Sequence, residues 1–296
     1  MTVTTPQTRS SPIDRVPPAF LAVTSIVSTQ IGAGIAKHLF ASIGPGGTVL
    51  LRIGYAAVLL LILRRPRLTG HTRAAYLTAI LFGVNLAAMN FCFYEALNRI
   101  PLGIAVTLEF IGPLGVAVAG SRRALDLLWV GLAATGIVLL APWGGLRFDL
   151  LGMGLALVTA ALWAAYILLS PRVGRAFPGS SGLVIALVVG TILLLPIGLN
   201  GTTAALGRPD VLLGGLAVGV LSSVITFSFE MAALQRMEAR VFGVLMSIEP
   251  AIGALVGLVV LGQTLGPRAI AAIACVVVAS IGAARFENSS SPPPID

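Results

Sequence analysis

Charge is what this sequence lacks most. Only 10% of its 296 residues are Asp, Glu, Lys or Arg, whereas 57% are hydrophobic, and the mean hydropathy is +0.99. A soluble domain carries about 25% charged residues, so a soluble fold of this length would have too little polar surface to face water. The composition therefore excludes a soluble globular protein and predicts a polytopic protein that has lipid as its main solvent.

The residue types that build catalytic and metal centres are also scarce. The only cysteines, Cys92 and Cys275, lie inside apolar runs, and the only histidines are His38 and His71. None of these four stands in a cluster with the spacing of a metal site or a disulfide framework. The sequence also contains no Gly-rich phosphate loop of the Walker type. We therefore expect no enzymatic activity, no metal, no cofactor and no activity driven directly by ATP.

The formal net charge of +8 invites a nucleic-acid interpretation. A phosphate-binding surface needs its cations along one face. Here the arginines stand singly or in pairs between apolar runs. We interpret them as determinants of membrane topology.

Long apolar runs make up most of the chain. A transmembrane β-barrel requires alternating apolar and polar residues, but stretches such as 56–63 are apolar on every face. A helix crosses the hydrocarbon core in about 20 residues, so the pattern predicts an all-α integral membrane protein with ten transmembrane helices. The ten segments, numbered 1 to 10, are 18–36, 46–63, 74–97, 101–120, 125–141, 151–170, 181–199, 211–233, 241–261 and 267–284.

The distribution of basic residues predicts the orientation. Ten crossings place both termini on one side, and cytoplasmic loops are enriched in Lys and Arg. With the termini inside, thirteen of the 19 basic residues are cytoplasmic, five are external and Arg52 is within segment 2. Residues 1–17 and 286–296 are thus predicted to be cytoplasmic tails. The second tail, rich in Ser and Pro, is predicted to be disordered.

The sequence also contains an internal repeat. The tetrapeptides Ala-Leu-Asn-Arg at 96–99 and Ala-Leu-Gln-Arg at 233–236 each precede a proline, Pro113 or Pro250, by fourteen residues. The two copies are offset by 137 residues. This offset predicts two five-helix repeats, 18–141 and 151–285, which are inverted because each has an odd number of helices. Inverted repeats place a substrate site near the bilayer midplane and support alternating access.

A few ionisable residues fall inside the predicted helices. Burying such a group in hydrocarbon is costly, so each is a functional-site hypothesis. Glu109 and Glu249 are predicted to lie close to the bilayer centre. The five candidates are Arg52, Glu95, Glu109, Glu230 and Glu249.

Prolines follow both central glutamates. A proline within a helix leaves the carbonyl four residues earlier without its donor. Pro113 therefore frees the carbonyl of Glu109, and Pro250 frees that of Met246. Kinks at these points expose backbone acceptors to a cavity, although prolines can also serve only to shape a helix.

Arg52 and Glu95 are predicted to lie at similar depths. One interpretation is a structural ion pair, because a buried guanidinium needs an acceptor. The other is that Arg52 meets a substrate carboxylate, which suits its planar fork.

Polar and aromatic side chains cluster in segments 1, 3 and 6. Asn90 and Tyr94 are four residues apart and share a helix face. Such faces can line a wet cavity, or they can hydrogen-bond one helix to another. The candidates are Gln30, Asn90, Tyr94, Trp163 and Tyr166.

The run from Asn90 to Tyr94, and then the run from Ile100 to Leu114, which reads Ile-Pro-Leu-Gly-Ile-Ala-Val-Thr-Leu-Glu-Phe-Ile-Gly-Pro-Leu, resemble a known family. They are similar to the drug/metabolite transporter superfamily, to its EamA-type exporters, and look most like the threonine/homoserine exporter group. The resemblance implies that helices 1–4 and 6–9 surround a central cavity and that helices 5 and 10 are peripheral. It also implies a multi-pass protein of the cell (inner) membrane.

The resemblance further implies export of small zwitterionic amino acids in exchange for protons. Glu109 would then couple to the proton or hold the substrate's amino group. The repeats differ here, since Met246 stands opposite Glu109 and Glu249 opposite Gly112. A broader drug or metabolite carrier and a passive channel are the alternatives.

Overall fold

The computed structural model describes most of the chain as helix. The described residues are 16–66, 69–100, 102–120, 124–140, 149–177, 179–205, 207–246 and 248–261, together with 267, 270, 271, 274, 275, 278 and 279. Every regular element in these ranges is helical. Apart from residues 16 and 17, both predicted tails lie outside the described residues, as does most of segment 10.

The described residues form eleven α-helices, which are numbered in chain order. Between α8 and α9, the residues Val220–Ile225 form a π-helical turn, called the π turn below. The helices are α1 (Pro18–Arg64), α2 (Arg73–Arg99), α3 (Leu102–Glu109), α4 (Ile111–Gly120), α5 (Ala124–Leu140), α6 (Leu150–Ala176), α7 (Ser181–Ala205), α8 (Pro209–Gly219), α9 (Thr226–Leu234), α10 (Ala239–Met246) and α11 (Glu249–Leu261).

The first helix is two helices joined at a break. Its 47 residues would extend about 70 Å if straight, more than twice the hydrocarbon thickness of about 30 Å. Gly44 adopts φ 69° and ψ 171°, a conformation open to glycine, and Pro45 follows it. The halves 18–43 and 45–64 correspond to predicted segments 1 and 2.

Within the described residues, five helical stretches are long and apolar enough to cross a membrane, which confirms the predicted all-α membrane class. The ten-helix, two-repeat arrangement stays a prediction. The five stretches are Pro18–Arg64, Arg73–Arg99, Leu150–Ala176, Ser181–Thr203 and Pro209–Leu234.

Helices from the two halves of the chain pack mainly on one another. α1 packs on α7 and on the continuous helical stretch formed by α8, the π turn and α9, while α2 packs on α6 and α7. The short helices join this core, α4 against α6 and α10, and α11 against α1. Side chains between these helices therefore come from both halves.

Glycines bring α1 and α7 together at what we call the glycine seam, formed by Gly46, Gly47, Gly198 and Gly201. A Cβ atom at Gly198 would lie 2.6 Å from the Cβ of Leu50, and one at Gly47 would lie 3.2 Å from the Cα of Gly201. Small residues let helix backbones approach in lipid, where packing rather than water exclusion drives association. The seam is therefore a backbone-to-backbone contact.

The α2–α7 contact allows a paired test of packing. A Cβ atom at Gly83 would lie 2.6 Å from the carbonyl oxygen of Ala186 and 2.9 Å from the Cβ of Val189. At Gly190, on the same interface, the nearest atoms are 3.5 Å away. We expect Gly83→Ala to destabilise the protein by about 1–3 kcal/mol, the usual cost of overpacking. Thermal unfolding in detergent measures this loss.

Gly190→Ala is the matched control, because both changes gain the same helix propensity of about 1 kcal/mol. It should leave the melting temperature unchanged or raised. Equal melting temperatures for the two variants would contradict the close packing of α2 on α7.

The end of α2 meets the start of α6. Arg99 lies 3.5 Å from the carboxylate of Asp149, which caps α6 by accepting a hydrogen bond from the backbone N–H of Gly152 at 2.9 Å. The hydrogen bond from that N–H lowers the pKa of Asp149 below its ordinary value, and the positive charge of Arg99 lowers it further. The contact places the end of α2 beside the beginning of α6.

Candidate functional site

The π turn lies between α8 and α9 and interrupts their regular α-helical hydrogen bonding. A π turn leaves carbonyl groups outside the ordinary helix ladder and often occurs at functional sites. Here two of these carbonyl groups accept hydrogen bonds from side chains. Ser28 and Thr226 donate to the carbonyl of Leu221 at 2.6 and 2.8 Å, and Arg52 donates to the carbonyl of Ser222.

Arg52 lies buried against this turn, with 5% of its surface exposed. Its Nε donates to Ser223 Oγ at 2.9 Å, one terminal nitrogen to the Tyr94 hydroxyl at 3.2 Å, and the other to the Ser222 carbonyl. Its guanidinium carbon is 5.5 Å from the ring centre of Tyr94 and 5.8 Å from that of Phe227. The guanidinium is thus held by neutral groups and aromatic faces.

The ion pair between Arg52 and Glu95, one of the two interpretations from the sequence, is wrong. Ion pairs within 4 Å in the described part of the chain join Arg99 to Asp149 and Arg208 to Asp210. Successive residues on a helix point about 100° apart, so the rotation of α2 that turns Tyr94 toward Arg52 turns Glu95 away. The role of Glu95 as a site residue stays a prediction without geometric support.

Gln30 and Glu249 join the two halves of the chain. The Gln30 side-chain amide donates to Glu249 Oε1 at 2.8 Å, and both side chains are buried. Gly253, one turn further along α11, makes room, since a Cβ atom there would lie 3.0 Å from Gln30 Oε1. Gln30 therefore fixes the position of this carboxyl group.

Glu230 forms a second pair of this kind with Tyr166. The Tyr166 hydroxyl donates to Glu230 Oε2 at 2.7 Å, and both residues are buried. The ring of Phe82 stacks on that of Tyr166, with centroids 5.3 Å apart. This contact joins α2, α6 and α9.

Glu109 is the last residue of α3, at a break in the helix. α4 resumes at Ile111, and the equivalent break after Met246 separates α10 from α11. Each break precedes its proline by four residues, where the proline removes a donor. Glu109 is half-buried and within electrostatic range of Glu249, Arg52 and Glu230.

These residues form one central cluster, defined as Arg52, Glu109, Glu230 and Glu249. The four ionisable groups act on one another electrostatically. The cluster contains one guanidinium and three carboxyl groups, contributed by α1, α3, α9 and α11. Such a set can bind a carboxylate at one point and an ammonium group or a proton at another.

Asn90 and Trp163 lie beside this cluster rather than in it. The Asn90 amide donates to the Leu86 carbonyl of its own helix at 2.8 Å. The Trp163 ring packs edge-on against Phe110, the residue after Glu109, with centroids 5.2 Å apart. Neither side chain donates to a member of the cluster among the described residues. Their roles at the site stay predictions.

Sequence reasoning missed the polar face of the π turn. Ser222 and Ser223 contact Arg52, and the Thr226 hydroxyl lies 2.6 Å from that of Thr29. The adjacent serines in an otherwise apolar run were a signal for a polar contact. Hydropathy has no signal for a π turn, because its composition is that of an ordinary helix.

Comparisons with known proteins agree with this picture. The model of the EamA-like transporter family matches residues 150–285. The chain is 39% identical over 267 residues to the threonine/homoserine exporter RhtA of Escherichia coli (strain K12), covering 90% of each protein. The identity and both coverages are the same for the threonine/homoserine exporter RhtA of Salmonella typhimurium (strain SL1344). A solved crystal structure that is 19% identical superposes with a TM-score of 0.73 over 93% of this chain and 99% of that one, which is a likeness of fold.

Proposed function

Because the chain belongs to the EamA-like transporter family, we propose that it is a secondary active exporter of small amino acids resembling threonine and homoserine. Relatives that are 39% identical over 90% of the chain are named exporters of these amino acids. The observation that carries the proposal is the central cluster, in which a buried guanidinium lies within electrostatic range of three carboxyl groups.

The cluster matches the chemistry of a zwitterion. Arg52 has no carboxylate within 4 Å among the described residues, and its planar fork suits a substrate carboxylate. Glu109 is the half-buried carboxyl group of the cluster. It is suited to hold the substrate's ammonium group, or a proton when the substrate is absent.

Coupling to protons follows from this alternation. A carboxyl group that binds either a proton or an ammonium group exchanges one for the other across the membrane. The sequence has no phosphate loop that would supply ATP drive. The proposed cycle is therefore proton antiport, with the proton entering as the amino acid leaves.

Alternating access between two inverted five-helix repeats is the proposed conformational cycle. The packing supports it, because exchanging the two repeats converts the contact of α1 with α8 and α9 into the contacts of α6 and α7 with α2. The helix breaks after Glu109 and Met246 are also 137 residues apart, the offset of the repeat.

We also propose that the protein lies in the inner membrane with both termini in the cytoplasm. The excess of basic residues in the predicted cytoplasmic loops supports this orientation. A C-terminal reporter that is active only outside the cell would contradict it.

Reconstituted vesicles loaded with threonine test the proposal directly. Acidifying the outside should accelerate threonine efflux several-fold over efflux without a pH gradient. Threonine efflux that ignores the gradient would exclude proton coupling, and flux beyond carrier rates would indicate a channel. Competition by aromatic cations in place of amino acids would indicate a broader carrier.

A further inference from the structure

Unused hydrogen-bond donors converge on Arg52. A guanidinium carries five N–H groups, and three of them donate to Ser223, Tyr94 and Ser222. One N–H on each terminal nitrogen is left without an acceptor among the described residues. The site thus retains two donors of its own.

The partners of Arg52 add two more. Ser223 and Tyr94 accept from Arg52, but in the described part of the chain neither hydroxyl proton has an acceptor. Both side chains are fully buried. Four donors therefore lie on or beside one cation, and none of them has an anionic acceptor in the described part of the chain.

The neighbouring carboxyl groups do not fill this role. Glu249 accepts from Gln30 and Glu230 accepts from Tyr166. These two and Glu109 act on Arg52 only at longer range, since no carboxylate lies within 4 Å of it among the described residues. A buried guanidinium without a paired anion is costly, so an anionic acceptor from outside the chain is favoured.

The π turn determines this geometry. It frees the Ser222 carbonyl to hold one edge of Arg52 while the next residue, Ser223, meets Nε. Tyr94 approaches from α2 and holds the second terminal nitrogen. The guanidinium plane is thereby fixed by two helical elements, the π turn and α2, before any substrate arrives.

We propose that Ser223 and Tyr94 complete a three-residue carboxylate site with Arg52, and that the exported amino acid must carry a free carboxylate. The inference rests on the proposed function and names two further binding residues for it. A carboxylate accepts charge-assisted hydrogen bonds from a guanidinium and from hydroxyl groups. An amide or an alcohol in its place supplies too few acceptors and leaves buried donors unpaired.

The variants Ser223→Ala and Tyr94→Phe each remove one hydroxyl and little volume. We expect each to raise the KM for threonine efflux about 10–100-fold, the ratio for losing a hydrogen bond to a charged group. The maximal rate should change far less, because Arg52 and the central carboxyl groups remain. Ser223→Thr, which keeps a hydroxyl, should restore most of the affinity.

Two control variants carry the same chemical changes elsewhere. Ser170→Ala removes a buried hydroxyl on α6 that has no hydrogen-bond partner among the residues that the structure describes. Tyr55→Phe alters a tyrosine that lines an apolar groove with α7 and α8. Both should transport like the wild type. In the wild type, threonine should compete for efflux, whereas threonine amide and threoninol should not.

The outcomes separate this inference from the proposed function. Wild-type threonine efflux with control-like KM values for both Ser223→Ala and Tyr94→Phe overturns the carboxylate site and leaves the function standing. Effective competition by threonine amide overturns it too, even if a variant does not fold. The absence of threonine efflux from the wild type overturns both.

Discussion

Arg52→Lys is expected to lower threonine efflux about 100-fold, which corresponds to roughly 2.8 kcal/mol of lost stabilisation. Lysine keeps the positive charge but is a compact point charge on a flexible stem. It cannot donate at the same time to Ser223, Tyr94 and the Ser222 carbonyl in the plane that the guanidinium now occupies. Initial efflux rates at equal protein in vesicles measure the effect.

Arg208→Lys is the matched control for this experiment. Arg208 forms an exposed pair with Asp210 at 2.8 Å, and exposed ion pairs contribute about 0–1 kcal/mol. Its efflux should equal that of the wild type. Arg52→Gln, which removes the charge, should be at least as impaired as Arg52→Lys. Near-normal efflux in Arg52→Gln would exclude any contact between Arg52 and the substrate carboxylate.

Glu109→Gln is expected to abolish the response of efflux to a pH gradient and to lower the driven rate about 100-fold. Glutamine is nearly the same size but neither exchanges a proton nor pairs with an ammonium group. Loss of a positioned acid or base typically costs about 10²–10⁴-fold in rate, so the expected loss is at the lower end. Efflux with and without the gradient separates the coupling defect from a defect in substrate binding.

The control for this variant is Glu238→Gln, which changes an exposed glutamate before α10. It should retain both the rate and the gradient response. A Glu109→Gln protein that still responds to the gradient would falsify the assignment of Glu109. If the response is lost in Glu230→Gln or Glu249→Gln instead, the proton is carried by that member of the central cluster.

Much of this arrangement was predictable because charge is so costly in a lipid environment. Arg52, Glu109 and Glu249 were singled out by their position inside apolar segments, and the structure brings them together in one cluster. Because charged residues are rare in the apolar segments, the few that occur there are easy to identify from the sequence. The packing of the helices then brings them close to one another. The same argument identified Glu230 as ionisable, but not its bond with Tyr166.

Rotation about a helix axis was not predictable. Glu95 and Tyr94 are adjacent and at nearly equal depth, so hydropathy and charge favoured the glutamate as the partner of Arg52. The packing of α2 on α6 and α7 decides which of the two faces the cluster, and it selects Tyr94. The predicted depth in the membrane therefore indicates at which height the partner of Arg52 lies, but not which residue it is.

Hydropathy predicted where helices begin and end better than it predicted irregularities within them. Predicted segment 3, 74–97, corresponds to α2, Arg73–Arg99. Predicted segment 6 stops at 170, whereas α6 continues through Pro171 to Ala176, because its hydrogen bonds extend beyond the apolar stretch. The π turn, in contrast, is held by contacts from Ser28 and Arg52 that come from a distant part of the chain.

The glycine seam between α1 and α7 has a consequence for how such a protein can diversify. Its contact is made by backbone atoms, so its geometry depends on a few glycines and little on the side chains elsewhere. The residues that contact Arg52 belong largely to α2 and the π turn, which are not part of the glycine seam. Cargo preference can then be altered by substitutions there while the scaffold keeps its assembly, which makes the π turn the natural target for engineering a new selectivity.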